Sequence, residues 1–341
     1  MHSLSLKVRI TLLALFVAVI PLTIFQAISV KRSTATLLES RAQNLESRAG
    51  LIVKELERFL KNRVKEIGLI ARSGEMLASS NHYNYLEGIH NNNTSINNIV
   101  LINSEGTITE SIPRSEYVGR IAWDIKPGIK ELFANMGRNE ISGVLLSEAH
   151  HSNEGIEILY LAPIYDTDKK NLQKVILVET GIDEIQEIIS DFAARSIGSE
   201  QIYVVDKFGT AVVATDGIPP EGSSLEDVRV QPAMLSEGKT GSVIYTKKNG
   251  TDVMAGFSDV AGVGENNALN WSVLTITPIH MISQPATDTG RLLTVFGIIV
   301  SVLAVSIAYY FARSITLPLQ RTVSLAEEIR RGNYSHRLET G

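Results

Sequence analysis

Two adjacent histidines, His150 and His151, are the residues in this chain whose types and spacing most suggest chemistry, since Glu148 and Glu154 lie close by. Imidazole and carboxylate groups together could bind a metal ion. Adjacent histidines at a predicted hairpin tip are also typical of a solvated loop, so we predict no metal site. The chain contains no cysteine, which excludes disulfides, thiolate ligands and a cysteine nucleophile. It also lacks a phosphate-binding loop, a zinc-binding helix motif and a nucleophile elbow, so we expect no catalytic residues, no cofactor and no enzymatic activity in this chain.

The charge of the chain is divided by position, with basic ends and an acidic middle. Residues 31–290 contain 24 Lys and Arg against 34 Asp and Glu, whereas the two flanks together contain 8 against 3. An acidic middle argues against nucleic acid as a partner. It favours cationic or zwitterionic ligands, although solubility explains the same balance equally well.

Two uncharged apolar runs have the length of membrane spans, Ile10–Val30 with 21 residues and Leu292–Phe311 with 20. The first run ends at Lys31 and Arg32 rather than at small residues, so we interpret it as an uncleaved anchor and not as a signal peptide. Because basic residues are concentrated outside the two runs, we expect both termini in the cytoplasm and residues 31–290 outside it. The predicted setting is a bacterial inner membrane, with lipid around both helices.

The segment after the first run is predicted to be a long helix. Apolar residues recur there at alternating steps of four and three, as in a coiled coil: Leu38, Ala42, Leu45, Ala49, Ile52, Leu56 and Phe59. The pattern fits a seam between two copies of the chain, and it also fits a helix that packs on its own domain. We expect a parallel homodimer in which Ile52 and Leu56 meet their counterparts.

An internal repeat relates residues 98–108 to residues 201–211 at an offset of 103 positions. In each copy a β-branched apolar run reaches Asn or Asp, turns at Gly and resumes as a second strand, which predicts a hairpin. Three further predicted strands follow in the same order, at 141–146, 156–164 and 174–180 in the first copy and at 240–245, 251–257 and 271–277 in the second. The repeat therefore predicts two tandem α+β units, each built on an antiparallel sheet.

This order of a long helix, two sheet units and a return to the membrane resembles the double Cache sensor domain, whose two lobes are PAS-like. The matching residues are Leu161–Asp166 in the first lobe, Val205–Gly209 in the second and Asn270–Val273 at its end. The resemblance implies an α+β fold in which a long N-terminal helix and two tandem PAS-like antiparallel-sheet lobes lie between two transmembrane helices. The implied divisions are an N-terminus at 1–9, a span at 10–30, a signalling helix at 31–78, a membrane-distal lobe at 79–190, a membrane-proximal lobe at 191–288, a span at 291–311 and a linker at 312–341.

The last part of the chain resembles the first helix and connector of a HAMP linker. Pro318 follows the second run closely, a break occurs at Gly332–Leu338, and one helical stripe between them is apolar: Leu319, Val323, Ala326 and Ile329. We expect the natural protein to continue beyond Gly341 into a second linker helix and an output domain. The connector resembles those of histidine kinases; chemoreceptor, diguanylate cyclase and phosphatase outputs are the alternatives.

The resemblance also implies a ligand site. In the Cache family a small-molecule pocket lies in the distal lobe, between its sheet and the segments that follow the first hairpin, here within residues 112–180. The implied ligand-binding residues are Arg120, Trp123, Asp124, Tyr160 and Glu179. The repeat places the proximal-lobe counterpart of Glu179 near Thr275, in a lobe that we expect to relay the signal rather than to bind.

Four of these side chains have an implied role. Arg120 would pair with a ligand carboxylate, Trp123 and Tyr160 would exclude water, and Glu179 lies where amino-acid-binding relatives place an acidic residue against the ligand's amine. Trp123 could instead be a core indole, and Glu179 could instead face solvent. The implied function is the sensory half of a bacterial transmembrane receptor for a small molecule, such as an amino acid or another carboxylate. A different class, an outer domain that binds a protein partner, is the alternative.

Overall fold

The computed structural model describes residues 6–73, 82–136, 143–152, 155–166, 171–196, 200–207, 209–217, 240–247, 249–266 and 269–330. The chain divides into two units. One unit contains the residues up to Leu38 and those from Ile282 onward, and the other is Glu39–Met281.

A single helix, α1, begins at Leu6 and ends at Arg72, with Pro21 inside it. The seam predicted along this helix packs on the chain's own sheets, because Leu45, Ala49, Ile52 and Leu56 have no exposed surface. No surface is left at Ile52 and Leu56 for a second copy. The expectation that these two residues meet their counterparts in a homodimer is therefore wrong.

The first lobe contains the following elements after α1: α2 (His82–Asn91), β1 (Ile96–Asn103), β2 (Ile108–Ile112), α3 (Ala122–Ile125), a 3-10 turn (Pro127–Ile129), α4 (Lys130–Met136), β3 (Leu145–Leu146), β4 (His150–Ser152), β5 (Gly155–Tyr165) and β6 (Leu172–Gly181). Its strands lie in the order β2-β1-β6-β5-β3, with β4 also pairing with β5. All of these pairings are antiparallel.

The second lobe follows α5 (Asp183–Ala194) and contains β7 (Gln201–Val205), β8 (Ala211–Ala214), β9 (Gly241–Thr246), β10 (Asp252–Asp259) and β11 (Ser272–Pro278). Its strands lie in the order β8-β7-β11-β10-β9, again antiparallel. When β4 is left out and the strands are counted within each lobe, the two sheets have the same strand order. The predicted α+β fold, with two antiparallel sheets after a long N-terminal helix, is confirmed.

Strand register gives the equivalent positions of the two sheets. Glu179 of β6 lies opposite Leu159 of β5 and Asn98 of β1. In the second lobe the residue at this crossing is Ile276 of β11, opposite Ala255 and Gln201. Ile276 is thus the counterpart of Glu179, one residue beyond the position near Thr275 that the sequence repeat suggested.

The first-lobe sheet is buried on both faces, and alternate side chains of β5 belong to different cores. Ile158 and Tyr160 pack in the cluster that includes Ile52 and Leu56 of α1. Leu159 and Leu161 point the other way, into a cluster with Phe133 of α4 and Ala122 of α3. The face covered by α3 and α4 is the one that forms the site described below.

The last helix, α6, begins at Ile279 and ends at Arg330, with Pro285 and Pro318 inside it. Among the described residues, one helix is long and apolar enough to cross a membrane, and its candidate span, Ile279–Phe311, contains an 18-residue window with a mean hydropathy of 2.5. In the same unit the Gln26 side chain of α1 donates a hydrogen bond to the Gly290 carbonyl at 3.1 Å. The predicted linker connector at 332–338 lies outside the described residues.

Candidate ligand-binding site

A cavity of about 1140 Å³ lies on the α3 and α4 face of the first-lobe sheet. This volume is comparable to that of small-molecule sites in proteins, which reach about 1,000 Å³. Its apolar lining comes largely from strands of the sheet and from the helices over them: Val100, Ile108, Leu159, Leu177, Ala122, Ile125 and Leu132.

Three charged side chains form a buried group in this cavity: Lys126, Glu157 and Glu179. The Lys126 Nζ atom lies 2.8 Å from a carboxylate oxygen of Glu179 and 3.1 Å from one of Glu157. The two glutamates are 4% and 2% exposed, and the lysine side chain keeps 23% of its surface exposed. Buried charges are costly unless they are paired, and this group contains one more carboxylate than ammonium.

Two asparagines of β1 complete the hydrogen bonding of the carboxylates. The Asn98 side chain donates to Glu179 at 2.9 Å, and the Asn97 side chain donates to Glu157 at 3.2 Å. Both carboxylates are therefore held by side chains of β1. Burial acts to lower the pKa of Lys126, but the carboxylates of Glu179 and Glu157 outweigh it, and the pKa is raised above its ordinary value.

Of the five residues implied by the family resemblance, Glu179 lines the cavity, and its buried position excludes the solvent-facing alternative. Arg120, Trp123, Asp124 and Tyr160 are not among the described lining residues. The structure therefore does not bring the five side chains together. Their role in binding stays a prediction.

Arg120 and Asp124 are exposed at the lobe surface. The Arg120 guanidinium lies 5.9 Å from the ring centre of Tyr117, a cation–π arrangement. Tyr117 itself contributes to the cavity lining. Arg120 thus lies next to a lining residue without reaching the cavity.

Trp123 is partly buried and packs against the core cluster under α3 and α4, which agrees better with the alternative of a packing indole than with an aromatic wall of the cavity. Its ring meets Phe133 edge-on, with 5.5 Å between the ring centres. Trp123 also lies against Gly106, where an added Cβ would lie 2.0 Å from an indole carbon. The first hairpin turn and α3 are held together by this contact.

Tyr160 is buried on the opposite face of the sheet, in the cluster that contains α1 residues. Burial raises the pKa of the Tyr160 phenol far above its ordinary value, despite the nearby positive charge of Arg63. Arg63 of α1 also donates to Ser95 and to Glu184, each at 2.6 Å. Tyr160 therefore belongs to the packing between α1 and the sheet.

Lys126 and Glu157 are site residues that the sequence interpretation missed. A signal existed for Glu157, because a glutamate inside an otherwise apolar strand must find a buried partner or a ligand. Lys126 had no comparable signal, since it lies in a loop between α3 and the turn Pro127–Ile129.

The second lobe differs at the positions equivalent to the two glutamates. By strand register, Glu157 corresponds to Val253 and Glu179 to Ile276. Both of these second-lobe residues are buried in an apolar cluster. Two sheets of the same strand order thus carry a charged group in the first lobe and apolar side chains at the same places in the second.

The histidines singled out in the sequence lie in β4, where His150 pairs with Glu157 of β5. Their side chains and Glu154 are outside the part of the chain that the structure describes. Glu148 accepts a hydrogen bond from Lys207 of the second lobe. Within the described ranges no group of three or more His, Asp or Glu side chains is placed to hold a metal ion.

Comparisons with known proteins identify the fold and no family. No protein-family model and no curated protein matches the chain. Several solved structures do. The extracellular domain of the putative histidine kinase rpHK1S-Z16 is 12% identical to this chain, with a TM-score of 0.53. The match includes 74% of this chain and 96% of that domain.

Two further structures have related descriptions. The sensory domain of the Campylobacter jejuni chemoreceptor Tlp3, with isoleucine bound, is 12% identical with a TM-score of 0.51 and covers 73% of this chain and 97% of its own. An extracellular ligand binding receptor from Desulfohalobium retbaense is 17% identical with a TM-score of 0.49. This chain covers 40% of that receptor's length, and the match includes 68% of this chain. The fold is thus shared with the extracellular domain of a putative histidine kinase and with the sensory domain of a chemoreceptor.

Proposed function

We propose that this chain is the sensory part of a bacterial transmembrane receptor and that it binds a small molecule in the first-lobe cavity. The observation that carries the proposal is the buried charged group of Lys126, Glu157 and Glu179 in a ligand-sized cavity. The equivalent positions of the second lobe are apolar, so the sheet does not need these charges for its packing. Charges that cost free energy on burial and are unnecessary for the fold support a binding role.

The fold shared with extracellular sensory domains supports a position of the two lobes outside the cytoplasm. We propose a two-pass protein of the bacterial inner membrane, with α6 as one span and the N-terminal part of α1 as the other. Large apolar side chains in that part of α1 are exposed, among them Phe16, Ile24 and Phe25. Exposed apolar side chains along a helix are suited to contact with lipid.

The proposed output lies beyond α6, through a HAMP linker that begins in residues 312–330, and is a histidine kinase. Two observations support a kinase output. The 332–338 connector resembles the connectors of histidine kinases, and the fold of the lobes resembles the extracellular domain of a putative histidine kinase. Chemoreceptor and diguanylate cyclase outputs are the alternatives. A homodimer remains part of the proposal, with an interface other than the buried seam of α1. A ligand need only prefer one of two helix arrangements by a few kcal/mol to change the output.

The test is a thermal unfolding screen of the full chain in detergent against a library of metabolites. A ligand that binds the folded state raises Tm in proportion to the logarithm of its concentration. We expect at least one small molecule to do so. Glu179→Gln should weaken its binding by about ten- to a hundredfold, because a charge-assisted hydrogen bond in the cavity is lost.

The control variant is Asp191→Asn, since Asp191 forms an ion pair with Arg195 at the exposed surface of α5, away from the cavity. It should bind the ligand as the unaltered chain does. Full affinity in Glu179→Gln would show that the cavity is not the binding site. A library without any stabilising compound would favour the outer domain as a receptor for a protein partner.

A further inference from the structure

Lys126 makes the contacts inside the cavity that a ligand's ammonium group would make. Its Nζ atom bridges Glu179 at 2.8 Å and Glu157 at 3.1 Å. An ammonium has three N–H donors, and two buried carboxylates at these distances satisfy two of them. The cavity's strongest site for a cation is therefore filled by the protein itself.

The carboxylates and the lysine are held in different ways. Glu157 and Glu179 belong to β5 and β6, two strands that pair with each other along most of their length. Their carboxylates also accept hydrogen bonds from Asn97 and Asn98 of β1. Lys126 is the single residue between α3 and the turn Pro127–Ile129, and although its backbone is hydrogen bonded, its four-carbon side chain has many rotamers. Its ammonium can therefore leave the carboxylates while the sheet keeps its shape.

The rest of the cavity also favours a cation with an apolar body. Its lining contains five glutamates, three of them nearer the surface at Glu116, Glu131 and Glu148, against Arg114 and Lys126. An excess of negative charge in a cleft attracts cations and repels anions. Beside the charged group, Val100, Leu159 and Leu177 offer apolar contact.

On the basis of the proposed sensory function, we propose that Lys126 is an internal substitute for a ligand's ammonium group. The ligand is a small organic cation with a primary ammonium and an apolar body, and it binds by displacing the Lys126 ammonium from Glu157 and Glu179. Because displacement subtracts the stabilisation of the lysine pairing from the ligand's affinity, an ammonium group alone is a poor ligand. Apolar contacts to the cavity walls must supply the difference, and this makes the site selective.

The test uses the full chain in detergent and n-butylammonium, which resembles the end of a lysine side chain. Lys126→Ala removes the internal competitor and takes the lysine ammonium away from two buried carboxylates. We expect this variant to have a lower Tm than the unaltered chain and to regain stability as n-butylammonium is added. Half-saturation should occur at a concentration about ten- to a hundredfold lower than in the unaltered chain.

Two controls separate charge from volume. n-Butanol has a similar apolar chain without the charge, and it should give Lys126→Ala no comparable gain. Lys126→Met keeps a stem of similar size in the cavity but has no charge, so n-butylammonium should stabilise it far less than it stabilises Lys126→Ala. Equal gains with n-butanol, or equal gains in the two variants, would overturn the proposal.

If Lys126→Ala is too unstable to purify, the double variant with Glu157→Gln carries the same test, because its charged group regains the original net charge. It must still respond to n-butylammonium and not to n-butanol, and absence of that selective response overturns the proposal. If a metabolite from the library binds in a Glu179-dependent way while n-butylammonium rescues neither variant, the role of Lys126 is wrong and the proposed function stands. If the metabolite screen and the n-butylammonium test both fail, the proposed function and the proposed role of Lys126 are both wrong.

Discussion

Gly106 occupies a position that needs glycine for two separate reasons. Its φ angle is +90°, a region that other residues rarely adopt, and an added Cβ would lie 2.0 Å from the Trp123 ring. Trp123 also packs edge-on against Phe133, and this contact limits how far the indole can move. The hairpin turn that the sequence predicted at this glycine is thus also the surface on which α3 rests.

Gly106→Ala is expected to destabilise the chain more than backbone strain alone would. Gly209→Ala is the matched control: it occupies the equivalent turn of the repeat, has a φ angle of +79°, and has nothing within 4 Å of its added Cβ. Backbone strain of about 1 kcal/mol should lower Tm by roughly 2–4 °C in Gly209→Ala. The decrease in Gly106→Ala should be at least about twice as large. Equal decreases in the two variants would show that the Trp123 contact does not constrain the turn.

Of the three residues of the buried charged group in the cavity, the sequence pointed to Glu179 but not to Lys126 or Glu157. The family resemblance led to Glu179, which lines the cavity, and to Tyr160, which lies on the other face of β5. Strand alternation separates odd from even positions but does not say which set faces the cavity, and here both faces of β5 are buried. Lys126 could not be found because its position depends on how a loop folds over the sheet.

Among the elements, α1 is tied to the second lobe by both backbone and charge. The Thr275 hydroxyl of β11 donates to the Leu45 carbonyl at 2.9 Å, and a Cβ on Gly256 would lie 2.3 Å from the Leu45 backbone. Glu200, whose side chain is fully buried, accepts from Arg48 at 2.9 Å and lies 3.4 Å from Arg41. These contacts join α1 to β11 and to Glu200, which directly precedes β7. A shift of β11 would therefore be transmitted to the helix.

Glu200→Ala is expected to weaken this junction strongly, because it leaves the Arg48 guanidinium without its carboxylate. Breaking a buried pair costs about 3–5 kcal/mol, and the lower value applies because the arginines retain partial exposure. A loss of about 3 kcal/mol should lower Tm by roughly 6–12 °C, measured on the full chain in detergent. Asp191→Ala, which removes an exposed pair on α5, should change Tm by less than about 2 °C. Similar effects of the two variants would mean that the Glu200 contacts do not hold α1 in place.

The strands and their order along the chain were predictable because the sequence signals of strands and turns are local. Period-two alternation and a glycine turn are contained within about ten residues, and the same order occurs twice along the chain. The partner of the α1 seam was not predictable in this way. Apolar residues at steps of three and four require a partner surface but do not specify whether it belongs to the same chain or to another copy.

For the whole molecule, the charge pattern and the two apolar runs lead to one expectation about topology. The candidate span in α6 carries its large apolar side chains exposed, as do residues 16–28 of α1. Basic residues outside the two runs favour the cytoplasm for both ends of the chain.

A reporter enzyme that is active only outside the cytoplasm should therefore be active when fused at residue 200 and inactive when fused after residue 341. A reporter that requires the cytoplasm should give the reverse result at the same two positions, and this second reporter controls for fusions that simply fail to accumulate. Activity of the outside reporter at both positions would mean that only one run crosses the membrane. Its activity at residue 341 alone would invert the orientation and place the Lys126 cavity in the cytoplasm, where it could not sense an external ligand.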